Sequence, residues 1–592
     1  MTSDQIVLLT ILVALLGLLI WGRWRFDIVA LGALFVAGVF GIIPDDQLFS
    51  GFGNPATITV ILVLILSFGL TKSGAIEFFA QLIDPVSDKP FLHIATLTFL
   101  AAFLSMFMNN VGALALLMPV AIQSTSKAGR SPSSVLMPLS FGSILGGLVT
   151  MIGTPPNILI SNYRLQETGE AFAMFDFSAV GGGVALAGIV FMLVVGWKLV
   201  KVRKKSATLE LFDVETYLFE LKLTEESDLL DKPLGELRIM LRQQSIDLLS
   251  LLHKRRKIPS IQRHHNLAVN DLMMLQGSHE EIDKFATAHD LQLLSAESTR
   301  KEILHSEDSQ VSEIVVAPGA SVEGRTAAQI RFNRRYGVNL LAVSRAGSSH
   351  RSRLRDFKLR VGDVLLLHGE AEELQDAISK IGCYPLQQRS LGFGASKKAW
   401  PALIIFIVAI ASAGFGLVSI QLALGLATVV MGLMSIVPIR EFYDGVDWPI
   451  VILLGAMIPI GTALEETGTT ALLVDAILSI TEGLSPVFIL ALLLIITMTV
   501  SDVLNNAATA ILMAPIAYNI ALSLNLNPDA FLMAIAIGAS CAFLTPIGHQ
   551  NNALVMGPGG YKFGDYWRMG LPLELIIVAV AIPLILLVWP LT

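Results

Sequence analysis

Long apolar stretches recur along the chain: Ile6–Ile20, Ile28–Ile43, Thr57–Thr71, Ile94–Met108 and Val180–Val200, with a second set after Trp400. A bilayer core of roughly 30 Å takes about 20 helical residues to cross, and stretches of this kind lack the period-two alternation of a membrane barrel. The pattern therefore predicts an α-helical polytopic membrane protein. The first stretch is read as a transmembrane helix and not a signal peptide, because little charge precedes it and Trp21–Arg25 (WGRWR) has the look of an interfacial anchor.

From Lys201 to about Lys398 the long apolar runs stop, charged residues become frequent, and short strands alternate with amphipathic helices. This insert repeats internally. SIDLLSLLHKR resembles GVNLLAVSRAG and LAVNDLMMLQGSHEEI resembles LRVGDVLLLHGEAEEL, with 92 residues separating both pairs, Ser245 from Gly337 and Leu267 from Leu359. LRVGDVLLLHG is expected to form a strand, a turn at Gly362-Asp363 and a second strand. The membrane parts repeat as well. IIPDDQLFSGFGNP (Ile42–Pro55) lines up with IVPIREFYDGVDWP (Ile436–Pro449), MNNVGALALLMPV (Met108–Val120) with LNNAATAILMAPI (Leu504–Ile516), and VTMIGTPPN (Val149–Asn157) with LTPIGHQNN (Leu544–Asn552). Four segments follow: membrane half 1 (1–200), two small α/β domains (207–297 and 305–392) and membrane half 2 (396–592).

With 54% hydrophobic and 15% charged residues and a mean hydropathy of +0.67, the composition agrees with a membrane chain. The net charge of −7 adds little. Cys383 and Cys541 are too far apart, in surroundings too unlike, to suggest a disulfide framework. Basic residues flank the insert (Lys198–Ser206 and Ser396–Trp400), which predicts a cytoplasmic insert, residues 201–398, in a multi-pass protein of the plasma or inner membrane. Five crossings and one hairpin per half would make the halves antiparallel. That count puts Arg23, Arg25, Lys127, Arg130, Arg440, Lys562 and Arg568 inside and Asp45, Asp46, Glu167, Glu465 and Glu466 outside, as the excess of basic residues on cytoplasmic loops requires. Inverted-topology repeats are a transporter architecture.

Asn109-Asn110 and Asn505-Asn506 each end one short apolar arm and start another, which suits a re-entrant hairpin with its tip at membrane depth. A helix start exposes amide N–H groups to an anion and a helix end exposes carbonyls to a cation. Gly153, Thr154, Pro155, Pro156 and Asn157, and in the other half Thr545, Pro546, Gly548, Asn551 and Asn552, supply a second loop where Gly and Pro release carbonyls that can ligate a hard cation. A lone intramembrane Asn can serve helix packing, and GTPPN a capped kink; occurrence at equivalent places of a repeat favours a binding site. His549 is read as an incidental polar residue beside the loop, and Glu77, Asp84, Glu465 and Glu466 as solvated interfacial charges.

These motifs resemble the divalent anion:sodium symporter family, and the insert resembles tandem C-terminal domains of potassium-transport regulators (RCK-C, or TrkA-C). The family's Ser-Asn-Thr tip carries over as Asn109, Asn110, Val111 and as Asn505, Asn506, Ala507, with the central asparagines kept and the flanking hydroxyls replaced; Thr509 matches a downstream threonine. The resemblance implies substrate contacts from Asn109, Asn110, Asn505, Asn506, Thr509, Thr154, Pro155, Thr545 and Pro546. It implies Na+ sites built from Asn110, Gly153 and Asn157 and from Asn506, Gly548 and Asn552. It also implies a homodimer. The expected function is Na+-coupled symport of a small dianion, sulfate before C4-dicarboxylate, with a proton-coupled or arsenite-like oxyanion transporter as the alternative. No catalytic constellation, P-loop or nucleic-acid signature occurs, and the insert has no G-x-G-x-x-G after a strand, so no nucleotide cofactor is named. A channel regulated by the insert would need a filter such as T-V-G-Y-G, which is absent. The insert is expected to sense a small ligand or form the dimer, or to be a plain appendage.

Overall fold

A computed structural model describes residues 1–21, 24–73, 83–200, 218–243, 246–253, 256–257, 266–276, 279–294, 309–345, 348–350, 354–386, 398–437, 442–481 and 483–592. Arg23, Glu77, Arg440 and most of the basic flanks of the insert, 201–206 and 396–397, lie outside the described residues. The chain forms two compact units, Met1–Lys205 with Gln387–Thr592, and Ser206–Leu386.

In the first membrane half the helices are α1 (Ser3–Trp21), α2 (Phe26–Val39), α3 (Pro55–Lys72), α4 (Pro90–Ser105), α5 (Asn110–Lys127), α6 (Leu136–Gly147), α7 (Pro155–Thr168) and α8 (Ser178–Leu199). Their starts are written in the sequence. Proline opens α3, α4 and α7, where its missing N–H costs nothing, and Asn54 caps α3 by accepting from Ala56 N–H at 2.9 Å. Gly169, at φ 79°, ends α7 in the left-handed conformation.

Among the described residues the insert holds two five-stranded antiparallel sheets. The first comprises β1 (Leu218–Leu223), β2 (Asp247–His253), β3 (Arg256–Lys257), β4 (Leu272–Gln276) and β5 (Leu291–Leu294); the second comprises β6 (Ser309–Val316), β7 (Asn339–Arg345), β8 (Ser348–His350), β9 (Val364–Glu370) and β10 (Cys383–Pro385). Helices α9 (Leu234–Gln243), α10 (His279–Ala288) and α11 (Ala371–Ile381) cover them. Their strand orders, β3-β2-β4-β1-β5 and β8-β7-β9-β6-β10, are the same arrangement. Even the register shift repeats, at Leu248/Ser250 and at Leu340/Ala342. The expected strand before Gly362-Asp363 is absent: only an isolated bridge, Thr326 to Lys358, lies there. The reason is local. Gly362 takes φ 82° and Asp363 Oδ2 accepts from Arg360 N–H at 2.8 Å, which closes a tight turn and leaves Val364 to start β9 alone.

The second membrane half repeats the order of the first as α12 (Ala399–Gly414), α13 (Ile420–Leu433), α14 (Trp448–Glu466), α15 (Thr469–Ile480), α16 (Pro486–Ser501), α17 (Asn506–Ser523), α18 (Pro528–Ser540), α19 (Gln550–Gly559) and α20 (Trp567–Val588). The stretch that corresponds to α15 in the first half, 74–82, lies outside the described residues. Among the described residues five helices, α3, α8, α14, α17 and α20, are long and apolar enough to cross a membrane. Shorter apolar helices are α2, α4, α12, α13, α15, α16 and α18, and α5 meets the segment Pro132–Gly147, which ends in α6, at 117°. Equivalent packing appears in both halves: α4 lies on α6 and α16 on α18. The halves meet where α7 packs on α17 and α18 and where α19 packs on α5 and α6.

Candidate functional site: two asparagine tips and two loops

Both asparagine pairs fall in a break between helices, after Ser105 of α4 and after Ser501 of α16. The first asparagine of each pair caps the next helix. Asn109 Oδ1 accepts from Val111 N–H at 3.0 Å, and Asn505 Oδ1 accepts from Ala507 N–H at 2.9 Å. The second turns back toward the arm it left. Ser105 Oγ lies 2.6 Å from Asn110 Oδ1, and Ser501 Oγ lies 3.0 Å from Asn506 Oδ1 while also reaching Ala539 O at 2.6 Å. The cap uses one side-chain oxygen and leaves other first-turn N–H groups free to face an anion.

The second loop of each half wraps its own tip. Thr150 donates its hydroxyl proton to Met106 O, and Thr545 Oγ1 donates to Asp502 O at 2.7 Å. Asn157 Nδ2 donates to Gly147 O (3.3 Å) and Thr150 O (2.9 Å); Asn552 Nδ2 donates to Ala542 O and Thr545 O, both at 3.1 Å. Gly153 and Gly548 sit where no Cβ fits, since one at Gly153 would lie 2.5 Å from Gly147 O and one at Gly548 2.7 Å from Asp502 Cα.

The halves are tied through the same residues. Ser140 Oγ donates to Asn552 Oδ1 at 2.9 Å, Asn551 Nδ2 to Asn110 O at 3.2 Å, and Tyr561 OH to Ser133 O at 2.6 Å. Ser143 Oγ also donates to Asn110 O, at 2.8 Å. His549, read from the sequence as incidental, is buried with Nε2 3.3 Å from the Asn110 side-chain amide. That reading is corrected: the ring belongs to the first tip.

Of the residues singled out from the sequence, Asn110, Thr154, Asn157, Thr509, Gly153, Pro546, Gly548 and Asn552 are buried, while Asn109, Asn505, Asn506, Pro155 and Thr545 are half-buried. Thr509 spends its hydroxyl on Asn505 O at 3.2 Å. Asn157 Oδ1, Asn551 Oδ1 and Ser540 Oγ are buried with no hydrogen-bond partner. Two of these three are atoms that can only accept, which is the shortfall a cation would fill. Sequence reasoning missed Ser105 and Ser501, although each stands five residues before the second asparagine. It also missed the neighbouring buried carboxyls of Asp502 and Glu574, which accept from Leu544 N–H (2.9 Å) and Phe543 N–H (3.3 Å). An intramembrane carboxylate is itself a usable signal.

The equivalent loops differ in exposure. Ile152 is 1% exposed and its counterpart Ile547 70%. A small cavity of about 40 Å³ lies between α7, α14 and α17, lined by Asn162, Tyr163, Gln166, Thr462 and Glu465 among others. Glu465 accepts the Tyr163 hydroxyl proton there, so it is held by a partner across the halves.

A family described as citrate transporter (CitMHS) matches residues 16–527 and, in a second match, 489–591. An uncharacterized transporter of Synechocystis sp., sll0640, is 29% identical over 95% of this chain and 93% of its own length. The uncharacterized transporter YfbS of Escherichia coli is 27% identical over the full length of both chains. Sodium/sulfate cotransporter 2 of Chlamydomonas reinhardtii is 24% identical over 54% of this chain and 38% of its own.

Proposed function

The chain belongs to the citrate transporter family, and on that premise we propose that it is a divalent anion:sodium symporter that carries a small dianion, sulfate before C4-dicarboxylate, by alternating access. The observation that carries this reading is the pair of tips: each half offers a helix start with free N–H groups beside a loop that holds an asparagine against released carbonyls. The N–H groups of α5 and α17, each end worth roughly half a positive charge, suit the anion. Asn157 Oδ1, buried without a donor, suits Na+ at the first tip together with Asn110 and Gly153. In the second half Asn506 and Gly548 are the candidates. Asn552 is the third: its Oδ1 accepts from Ser140 Oγ at 2.9 Å and keeps a second lone pair for the cation. The preference for sulfate is supported by the name of the Chlamydomonas relative.

Bound cations are needed for a physical reason: an uncompensated dianion at the bilayer midplane costs several kcal/mol, and positive charge beside it removes that cost. The substrate would lie between the tips, against Asn109, Asn110, Asn505, Asn506 and Thr509, with Thr154, Pro155, Thr545 and Pro546 forming its flanks. In this reading the halves have opposite orientations in the bilayer and the insert is a cytoplasmic pair of RCK-C-like domains that senses a small ligand or joins two protomers. Uptake into proteoliposomes of sulfate, succinate, citrate, phosphate and arsenite, with Na+ or choline outside, tests the proposal. Na+-dependent uptake of sulfate is expected. Uptake that ignores Na+ and follows a pH gradient would replace Na+ by a proton.

A further inference from the structure

The second half does more at the first tip than touch it. His549 Nδ1 accepts the Asn551 N–H at 3.1 Å, so in the neutral imidazole the proton is on Nε2. That Nε2–H points at the end of the Asn110 amide 3.3 Å away, and a donor there requires an acceptor. The two ends of a carboxamide have one shape, so the arrangement is satisfied when the Asn110 oxygen faces His549 and its NH2 faces the Ser105 hydroxyl, which accepts as readily as it donates. His549 thereby decides which end of Asn110 is the oxygen. One lone pair of that oxygen takes the imidazole proton and the other is left for a ligand.

Two residues on, Asn551 spends its Nδ2 on the Asn110 carbonyl at 3.2 Å and keeps Oδ1, fully buried, without a donor. The first tip is thus met by two amide oxygens that the second half supplies or orients. Among the described residues no hydrogen bond joins the Asn506 side chain to the first half's loop. At the equivalent places of the first loop stand Thr154 and Pro156, and a proline side chain can neither donate nor accept. Asn506 at the second tip is half-buried and bonded to Ser501 of its own half.

We propose that His549 is a positioning residue that turns the Asn110 amide oxygen toward a monovalent cation at the first tip, and that Asn551 Oδ1 is a ligand oxygen of that same cation, contributed across the boundary between the halves. The inference rests on the Na+ reading above. Its consequence is mechanical: occupancy of the first cation site draws the second half's loop onto the first half's hairpin.

The test uses purified full-length protein in detergent and reads thermal stabilisation against NaCl, with choline chloride holding ionic strength constant. Wild type should be stabilised saturably by Na+. Asn551→Ala and His549→Leu should each raise the half-saturating Na+ concentration by about 10–100-fold, the range for losing a ligand or its orienting partner. His549→Gln, whose side-chain NH2 can reach where Nε2–H does, should return it to within about threefold, since that bond alone is restored. A His549→Leu or Asn551→Ala protein that melts lower in choline yet keeps the wild-type Na+ concentration dependence would make both residues merely structural and overturn the inference while sparing the Na+ reading. Failure of wild type to respond to Na+ at all would remove the Na+ reading and this inference with it.

Discussion

Asn157 and Asn552 make the same pair of bonds in their respective halves: each side-chain amide donates to the carbonyls seven and ten residues upstream. The bonds close a loop around each tip, and they answer where the carbonyls released by Gly and Pro find partners. Asn157→Ala takes the side-chain donor from Gly147 O while Thr150 O keeps the Gly153 N–H at 3.3 Å, and Asn552→Ala takes it from Ala542 O and Thr545 O, an unpaired buried carbonyl costing about 1–3 kcal/mol. Asn552→Ala also strands the Ser140 hydroxyl, so it is expected to lower the melting temperature in detergent more than Asn157→Ala does. Equal losses would mean that the Ser140 bond contributes nothing.

The two loop glycines are expected to be intolerant of a methyl group. At Gly153 it would meet Gly147 O and Ser105 O at 2.5 and 2.9 Å, and at Gly548 the Asp502 backbone at 2.7 Å. These are backbone atoms and cannot rotate aside. Gly153→Ala and Gly548→Ala should abolish uptake, whereas Gly182→Ala, with nothing within 4 Å of the added carbon, should leave it unchanged. Normal uptake by either loop variant would show that the loops do not close on the tips in the working cycle.

The tips were legible in the sequence because two adjacent amides at the end of an apolar run stand out, and because they recur at the same place in a repeat. The insert was legible for a similar reason: the segments that resemble each other carry β2 and β7 and β4 and β9, and β2 pairs with β4 as β7 pairs with β9. His549 was not legible. Its role depends on Asn110, 439 residues away, and on a contact between halves that no local pattern encodes. Ser140 gave no signal at all, being one small polar residue in a helix that is buried throughout. The strand expected before Gly362 failed because a turn and an extended approach to a turn share the same residue types, and only the partner strand decides between them.

The insert carries a pH-dependent element. Glu313 on β6 is 4% exposed, neither of its carboxylate oxygens has a hydrogen-bond partner, and burial pushes its carboxyl up from 4.5 to about 8. The sign follows from proton uptake. Between 4.5 and about 8 the folded carboxyl keeps a proton that the unfolded one has lost, so the burial is free of penalty below 4.5 and stability falls as pH rises toward about 8. The slope is at most about 1.4 kcal/mol per pH unit. Hydrogen exchange of β6 and β9 amides in the full-length protein, corrected for the intrinsic rate, should show protection that declines across this window. Glu313→Gln should flatten the decline, and a slope unchanged by it would assign the effect to another group.

The proposed opposite orientation of the halves makes a topological demand on Glu167, in the last turn of α7, and Lys562, three residues past α19, which are equivalent positions and both exposed. Single cysteines at these positions, in a background lacking Cys383 and Cys541, should react with an impermeant thiol reagent from opposite sides of the membrane, 167 from outside and 562 from inside. Labelling of both from one side would make the repeats parallel.

The central claim is that cation and anion share one site, and reciprocity of their affinities tests it most directly. Isotopic sulfate binding to the purified protein is measured over a range of Na+ concentrations, and Na+ affinity over a range of sulfate, at fixed pH. Linkage requires each ligand to tighten the other by the same factor, and a coupling of about 1–3 kcal/mol corresponds to roughly 5–150-fold. Asn110→Ala and Asn506→Ala should weaken Na+ and, through it, sulfate, while Leu186→Ala on an exposed helix face should change neither. Sulfate bound equally tightly in Na+ and in choline would contradict the account.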